Sequence, residues 1–73
     1  MRIKVNSEIA GQVWKVTAAQ GTSMDADEPI IILESMKMEI PIVAPKAGVL
    51  IELHVGEEDM VAEGQLIAII ESA

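Results

Sequence analysis

Apolar side chains recur along this chain in short segments separated by polar breaks. Ile3 and Val5 alternate with Arg2, Lys4 and Asn6. Val13 and Val16 flank Trp14 and Lys15, and Ile30-Ile31-Ile32-Leu33 is one unbroken apolar run. Ile40, Ile42 and Val43 surround Pro41; Val49 to Val55 and Leu66 to Ile70 complete the series. β-Branched residues dominate these segments, and Gly, Pro and acid clusters bound them, so they read as strands. The one helical candidate, Met60-Val61-Ala62-Glu63, is a single turn stopped by Gly64. The pattern predicts an all-β fold, a sandwich or flattened β-barrel. His54 is expected on a strand face, and Trp14 partly buried beneath a loop.

A second regularity lies above the strands. Shifted by 37 residues, the chain overlays itself without a gap. Ala10-Gly11 falls on Ala47-Gly48, Val13 on Leu50, Trp14 on Ile51 and Val16 on Leu53. Met24 falls on Val61, Ile30 on Ile67, Ile32 on Ile69, and Glu34-Ser35 on Glu71-Ser72. Identities are few, but apolar positions match throughout. Two copies of a four-strand unit, each unable to bury its own face, pack into one core with quasi-two-fold symmetry. The expected organisation is one domain over residues 1–73, with halves of about 1–36 and 38–73. Lys37 stands at the midpoint, and Met36-Lys37-Met38 joins the halves. A strand before it (30–35) and one after it (38–43) make the join a hairpin, although Met-Lys is not a favoured turn pair.

Composition narrows the functional classes. The 73 residues are 51% hydrophobic, too apolar for a disordered chain. No apolar run approaches the length of a membrane span. The start of the chain already alternates, unlike a secretory signal. With no Cys there is no disulfide framework, thiolate metal site or Cys nucleophile, which is compatible with a cytoplasmic location. The net charge is −7, and residues 38–73 hold seven acids against the single base Lys46. That balance, with one aromatic residue, disfavours nucleic acid and anionic membranes as partners. It keeps an Ile-rich small protein in solution. The acid groups Asp25, Asp27, Glu28 and Glu57, Glu58, Asp59, Glu63 read as solvated loop charges, since they lack the ordered spacing of a calcium loop. A lone His54 is no basis for a metal site. No Ser carries a nucleophile-elbow signature, so no catalytic residue is assigned and the chain is not expected to be an enzyme.

One segment remains, Glu34-Ser35-Met36-Lys37-Met38-Glu39. Two large apolar side chains beside a turn lysine expose apolar surface, which usually serves recognition. Met-Lys-Met at the centre of a duplicated all-β domain of this size resembles the biotinyl domain, the biotin carboxyl carrier module, whose close relative is the lipoyl domain. Ala44-Pro45-Lys46-Ala47-Gly48 and Val61-Ala62-Glu63-Gly64-Gln65-Leu66 also match that family's pattern, and the resemblance spans essentially the whole chain.

The resemblance implies a flattened barrel of two four-stranded antiparallel sheets, with Lys37 on the hairpin between strands four and five. It implies covalent biotin on Lys37, attached by a biotin protein ligase. The arm would then carry a carboxyl group between a biotin carboxylase and a carboxyltransferase. Met36 and Met38 would contact these partners; Ser35, Glu34 and Glu39 are weaker candidates for recognition. The amine must attack as the neutral base, whereas an exposed lysine is ordinarily an ammonium at neutral pH. The ligase must therefore supply the base or the activated acyl group. The carrier contributes tethering, which turns two encounters into intramolecular ones.

Some positions depart from the pattern. Ser35 stands where biotinyl domains commonly have Ala, and Glu-Ser is a feature lipoyl domains can show, so lipoate is the alternative cofactor, in place of biotin or in addition to it. An unmodified β-barrel adaptor, binding a partner through its Met-Lys-Met tip, is a third reading. Glu8 lies opposite Pro45, Asp27 opposite Gly64, and Glu58 where Gly is usual. The gapless repeat leaves no room for the protruding insertion of the bacterial acetyl-CoA carboxylase carrier. Together with a chain that begins at a strand, this suggests a free-standing carrier or an excised domain of another complex.

Overall fold

A computed structural model describes residues 1–72. Eight strands follow in order: β1 (Arg2–Asn6), β2 (Gly11–Val16), β3 (Ser23–Met24), β4 (Pro29–Ser35), β5 (Met38–Val43), β6 (Gly48–Leu53), β7 (Met60–Val61) and β8 (Leu66–Glu71). They form two four-stranded antiparallel sheets, ordered β1-β8-β6-β3 and β5-β4-β2-β7. Replacing each strand by its partner four places along the chain converts one order into the other. The 37-residue shift is therefore a quasi-two-fold operation on the structure. The candidate turn at Met60 is strand β7, and the described residues contain no helix.

The core obeys the same operation. The buried residues are Val5, Ser7, Val13, Ala18, Met24, Ile30, Ile31 and Leu33 in the first half. In the second half they are Ile42, Ala44, Leu50, Val55, Val61, Ile67, Ala68 and Ile70, each 37 positions from its counterpart. Within pairs the volumes differ, as in Met24 with Val61 and Ile31 with Ala68. Burial is conserved between the halves while shape is exchanged across the core.

Bulges explain what simple alternation does not. In β4 the register against β5 slips between Pro29 and Ile31, so Ile30 is an extra residue. This turns both Ile30 and Ile31 inward and accounts for the unbroken apolar run. The β1–β8 pair slips between Val5 and Asn6, leaving Ile67 as the equivalent extra residue. A second pair of bulges displaces Trp14 in β2 and Ile51 in β6. Trp14, at the bulge, is half exposed. His54 lies one residue past β6, exposed, with Nε2 2.9 Å from Glu52 Oε1.

The loops repeat as well. Gly21 and Glu58 occupy equivalent positions with φ of 94° and 74°, as do Asp27 and Gly64 with 68° and 83°. Their amides close matching bonds: Gly21 to the Leu50 carbonyl, Glu58 to that of Val13, Asp27 to that of Ala44 and Gly64 to that of Ser7. The β2–β3 and β6–β7 connections each span six residues, so the first half carries no insertion at that point.

Candidate functional site

The β4–β5 hairpin has the most extensive strand pairing in the fold. Its ladder runs from Pro29↔Val43 to Glu34↔Glu39 and Ser35↔Met38. Met36 and Lys37 are the two loop residues, with φ of 52° and 64°. Both thus occupy the left-handed region, as a type I′ turn requires. That conformation matches the twist of the strands but costs L-residues roughly 1–2 kcal/mol each relative to Gly. The disfavoured turn pair noted in the sequence is real, and the long ladder holds it in place.

The turn places its side chains in solvent. Met36 is 92% exposed and Met38 63%, so neither fills a gap in the core. Lys37 is exposed. Among the described residues it takes part in no salt bridge; the two present join Met1 to Glu71 and His54 to Glu52. Its amine is open to an incoming acyl group, with no internal partner to displace. Glu34 and Glu39 face each other one register step behind the tip, both exposed. Two like charges in this cross-strand position oppose pairing. Ser35 is half-buried and closes the turn against Met38. The hairpin thus brings all six predicted site residues together.

Other segments approach the hairpin whose part was not legible beforehand. A shallow groove of about 390 Å³ lies beside the tip, walled by Ile9, Ala10, Met36, Met38 and Ile40, with Glu8 and Glu63 at its rim. Buried Ser7 secures the β1–β2 loop there by donating its hydroxyl to the Ile9 carbonyl at 2.5 Å. Gly11 lets β2 approach the hairpin: a Cβ at this position would stand 2.8 Å from the Glu34 carbonyl oxygen. Glu8 and Glu63 are 55 positions apart, so periodicity within a strand could not join them. The Ala10-Gly11 match with Ala47-Gly48 was the available signal for the close approach. Among the described residues, no three His, Asp or Glu converge where they could hold a metal ion.

This geometry can be set beside known proteins. The family model described as "Biotin-requiring enzyme" matches residues 1–70. The biotin/lipoyl attachment protein of Bacillus subtilis is 43% identical over 63 residues, covering 86% of each chain. Urea amidolyase of Saccharomyces cerevisiae is 41% identical over 68 residues, which are 93% of this chain and 4% of that protein. The crystal structure of Kluyveromyces lactis urea carboxylase superimposes with a TM-score of 0.92 at 35% identity, covering 97% of this chain and 6% of that one. The match thus takes in most of one small relative and a small part of two much longer chains. With the family model matching nearly end to end and a full-length relative at this identity, the chain belongs to the biotin/lipoyl attachment family, carrier domains that bear biotin or lipoate covalently and do not catalyse by themselves.

Proposed function

We propose that this protein is a biotin carboxyl carrier and that Lys37 is its attachment point. The observation that carries this reading is the hairpin: one unpaired lysine in a two-residue turn, flanked by exposed Met36 and Met38. Met on both sides of the lysine favours biotin, since lipoyl domains usually carry Asp-Lys-Ala there. The likeness to a urea carboxylase supports the same choice. Biotin, once bound, supplies a ring nitrogen that can take up and release a carboxyl group.

The chain's own contribution is physical. Lys37 offers the amine, and its extended side chain becomes the stem of the arm. The long ladder behind the turn keeps the body rigid, so motion is confined to the arm. Met36 and Met38 offer an apolar surface to a biotin protein ligase, and later to a biotin carboxylase and a carboxyltransferase. The amine stands exposed at the turn, and the ligase provides its activation. We place the carrier in the cytoplasm, with which a chain free of Cys is compatible.

Lipoate is the second reading, favoured by Ser35 after Glu34. Parallel incubation with a biotin protein ligase and biotin, and with a lipoyl ligase and lipoate, separates the two. The biotin reading expects faster labelling at Lys37 by the biotin ligase. Labelling by the lipoyl ligase alone would replace it with the second reading, and no labelling by either would leave an unmodified adaptor.

A further inference from the structure

Four of the five methionines are exposed, and two of these flank the lysine; only Met24, 2% exposed, is enclosed by the core. Such a distribution is unusual for a side chain that ordinarily fills apolar gaps. The chain contains no Cys, so thioethers are its only sulfurs and its readiest sites of two-electron oxidation. Met36 sits within the turn and Met38 at its closing pair, and both also wall the groove with Ile9 and Ile40. Neither supports the core, so a chemical change at either leaves the fold and the Lys37 amine intact. It does change the surface through which any partner must approach that amine.

We propose that Met36 and Met38 form a peroxide-responsive modification site that controls access to Lys37. Hydrogen peroxide is the oxidant. The thioether sulfur attacks one peroxide oxygen, the O–O bond breaks, an S–O bond forms, and water leaves. Sulfur is oxidised by two electrons and peroxide is reduced by two, so the step needs no further reactant. The sulfoxide places a strong hydrogen-bond acceptor where a partner surface meets apolar side chains. Unless that partner supplies a donor, the contact is lost, and with it the loading of the carrier. Methionine sulfoxide reductases can reverse the change at both sulfoxide epimers. Only the effect on loading rests on the carrier reading; the site of oxidation and its reversal do not.

The test treats the full chain with hydrogen peroxide and maps oxygen addition by peptide mass. Met36 and Met38 are expected to oxidise well before Met24, with the thermal transition unchanged. Loading by the biotin protein ligase should then fall about tenfold, the scale of one buried polar group left unsatisfied. It should return after treatment with both classes of sulfoxide reductase. The double variant Met36→Leu/Met38→Leu retains Met1 and Met60, so it separates the hairpin from the other exposed thioethers, and its loading should ignore peroxide. If the variant does not load even before peroxide, partial oxidation of the wild type decides the matter: loss of loading must follow the oxygen content of the Met36 and Met38 peptide, and loss that follows Met1 or Met60 instead overturns the proposal. Oxidation of Met24 as fast as Met36, undiminished loading of the fully oxidised chain, or equal loss in the double variant would overturn the proposal. Failure of the untreated chain to take biotin counts against the carrier reading instead; if it takes lipoate, the same comparison is read with the lipoyl ligase.

Discussion

The β4–β5 hairpin and the β8–β1 pair are the same structure twice over, and they end differently. In the first, Ser35 pairs with Met38 and the ladder closes through Met36 and Lys37. In the second, the equivalent Ser72 donates its amide to the Met1 carbonyl at 2.8 Å, and the terminal ammonium lies 3.4 Å from Glu71. The chain runs through a turn at one place and has its first residue at the other. Behind both ends the buried residues correspond pair by pair, so the core does not distinguish them. Outside the core the halves diverge: residues 1–37 hold five acids and four bases, the rest seven acids and one base. Packing constrains the two halves alike, and what is particular to the protein sits where the symmetry is interrupted.

The largest expected break in this comparison is chemical. Lys37→Arg should abolish attachment completely while leaving the thermal transition close to that of the wild type, because the turn contributes nothing to the core. Gel-shift with streptavidin and a melting curve read both. A variant that still labels, at Lys46 or elsewhere, contradicts the assignment.

The next break tests equivalence in the core. Ile30→Ala and Ile67→Ala each empty a fully buried position at an equivalent bulge. Each should cost about 2–5 kcal/mol, with the two costs close to one another. Urea unfolding measures both. Costs that differ by more than the spread for such sites would show that one half dominates the core.

Glycines sharpen it further. A Cβ at Gly11 meets the Glu34 carbonyl oxygen at 2.8 Å, whereas at Gly48 it collides more severely with the Glu71 carbonyl and also meets Ile70 Cγ2 at 2.8 Å. Gly48→Ala should therefore destabilise more than Gly11→Ala, the former by about 1–3 kcal/mol. Gly11→Ala should show instead in the loading rate, because the strand it shifts carries Glu34 and Ser35.

The smallest effects lie in the loops. Glu58 holds a φ of 74° where its counterpart is Gly21, kept there by the bond of its amide to Val13. Glu58→Gly should stabilise the fold by about 0.5–1 kcal/mol, as relief of a left-handed conformation exceeds the added chain entropy. Asp27→Gly should gain less, because Asp tolerates this region better.

Much of this was legible because the repeat constrains it. The shift that pairs Val13 with Leu50 and Ile30 with Ile67 also pairs every buried residue. The hairpin followed from the two strand runs on either side of Lys37. Strands β3 and β7 escaped notice because two residues carry no alternation, and β7 lay in the one segment with a helical look. The bulges were hidden for a related reason: a run such as Ile30-Ile31 reads equally as a fully buried strand. The strain in the turn was foreshadowed by an unfavourable pair of residues. The groove was not, because its walls come from three segments distant in sequence, the β1–β2 loop, the β4–β5 hairpin and the β7–β8 loop. Trp14 is only half covered, and as a bulge residue it no longer follows the face its neighbours predict.

The central claim is that the strained turn exists to present one lysine for acylation. The most direct test is the mass of the intact protein after co-expression with a biotin protein ligase in the presence of biotin, followed by peptide mapping. The account predicts a gain of one biotin less one water, located on Lys37 alone. A folded protein with no gain, or with the label on Lys4, Lys15 or Lys46, would contradict it.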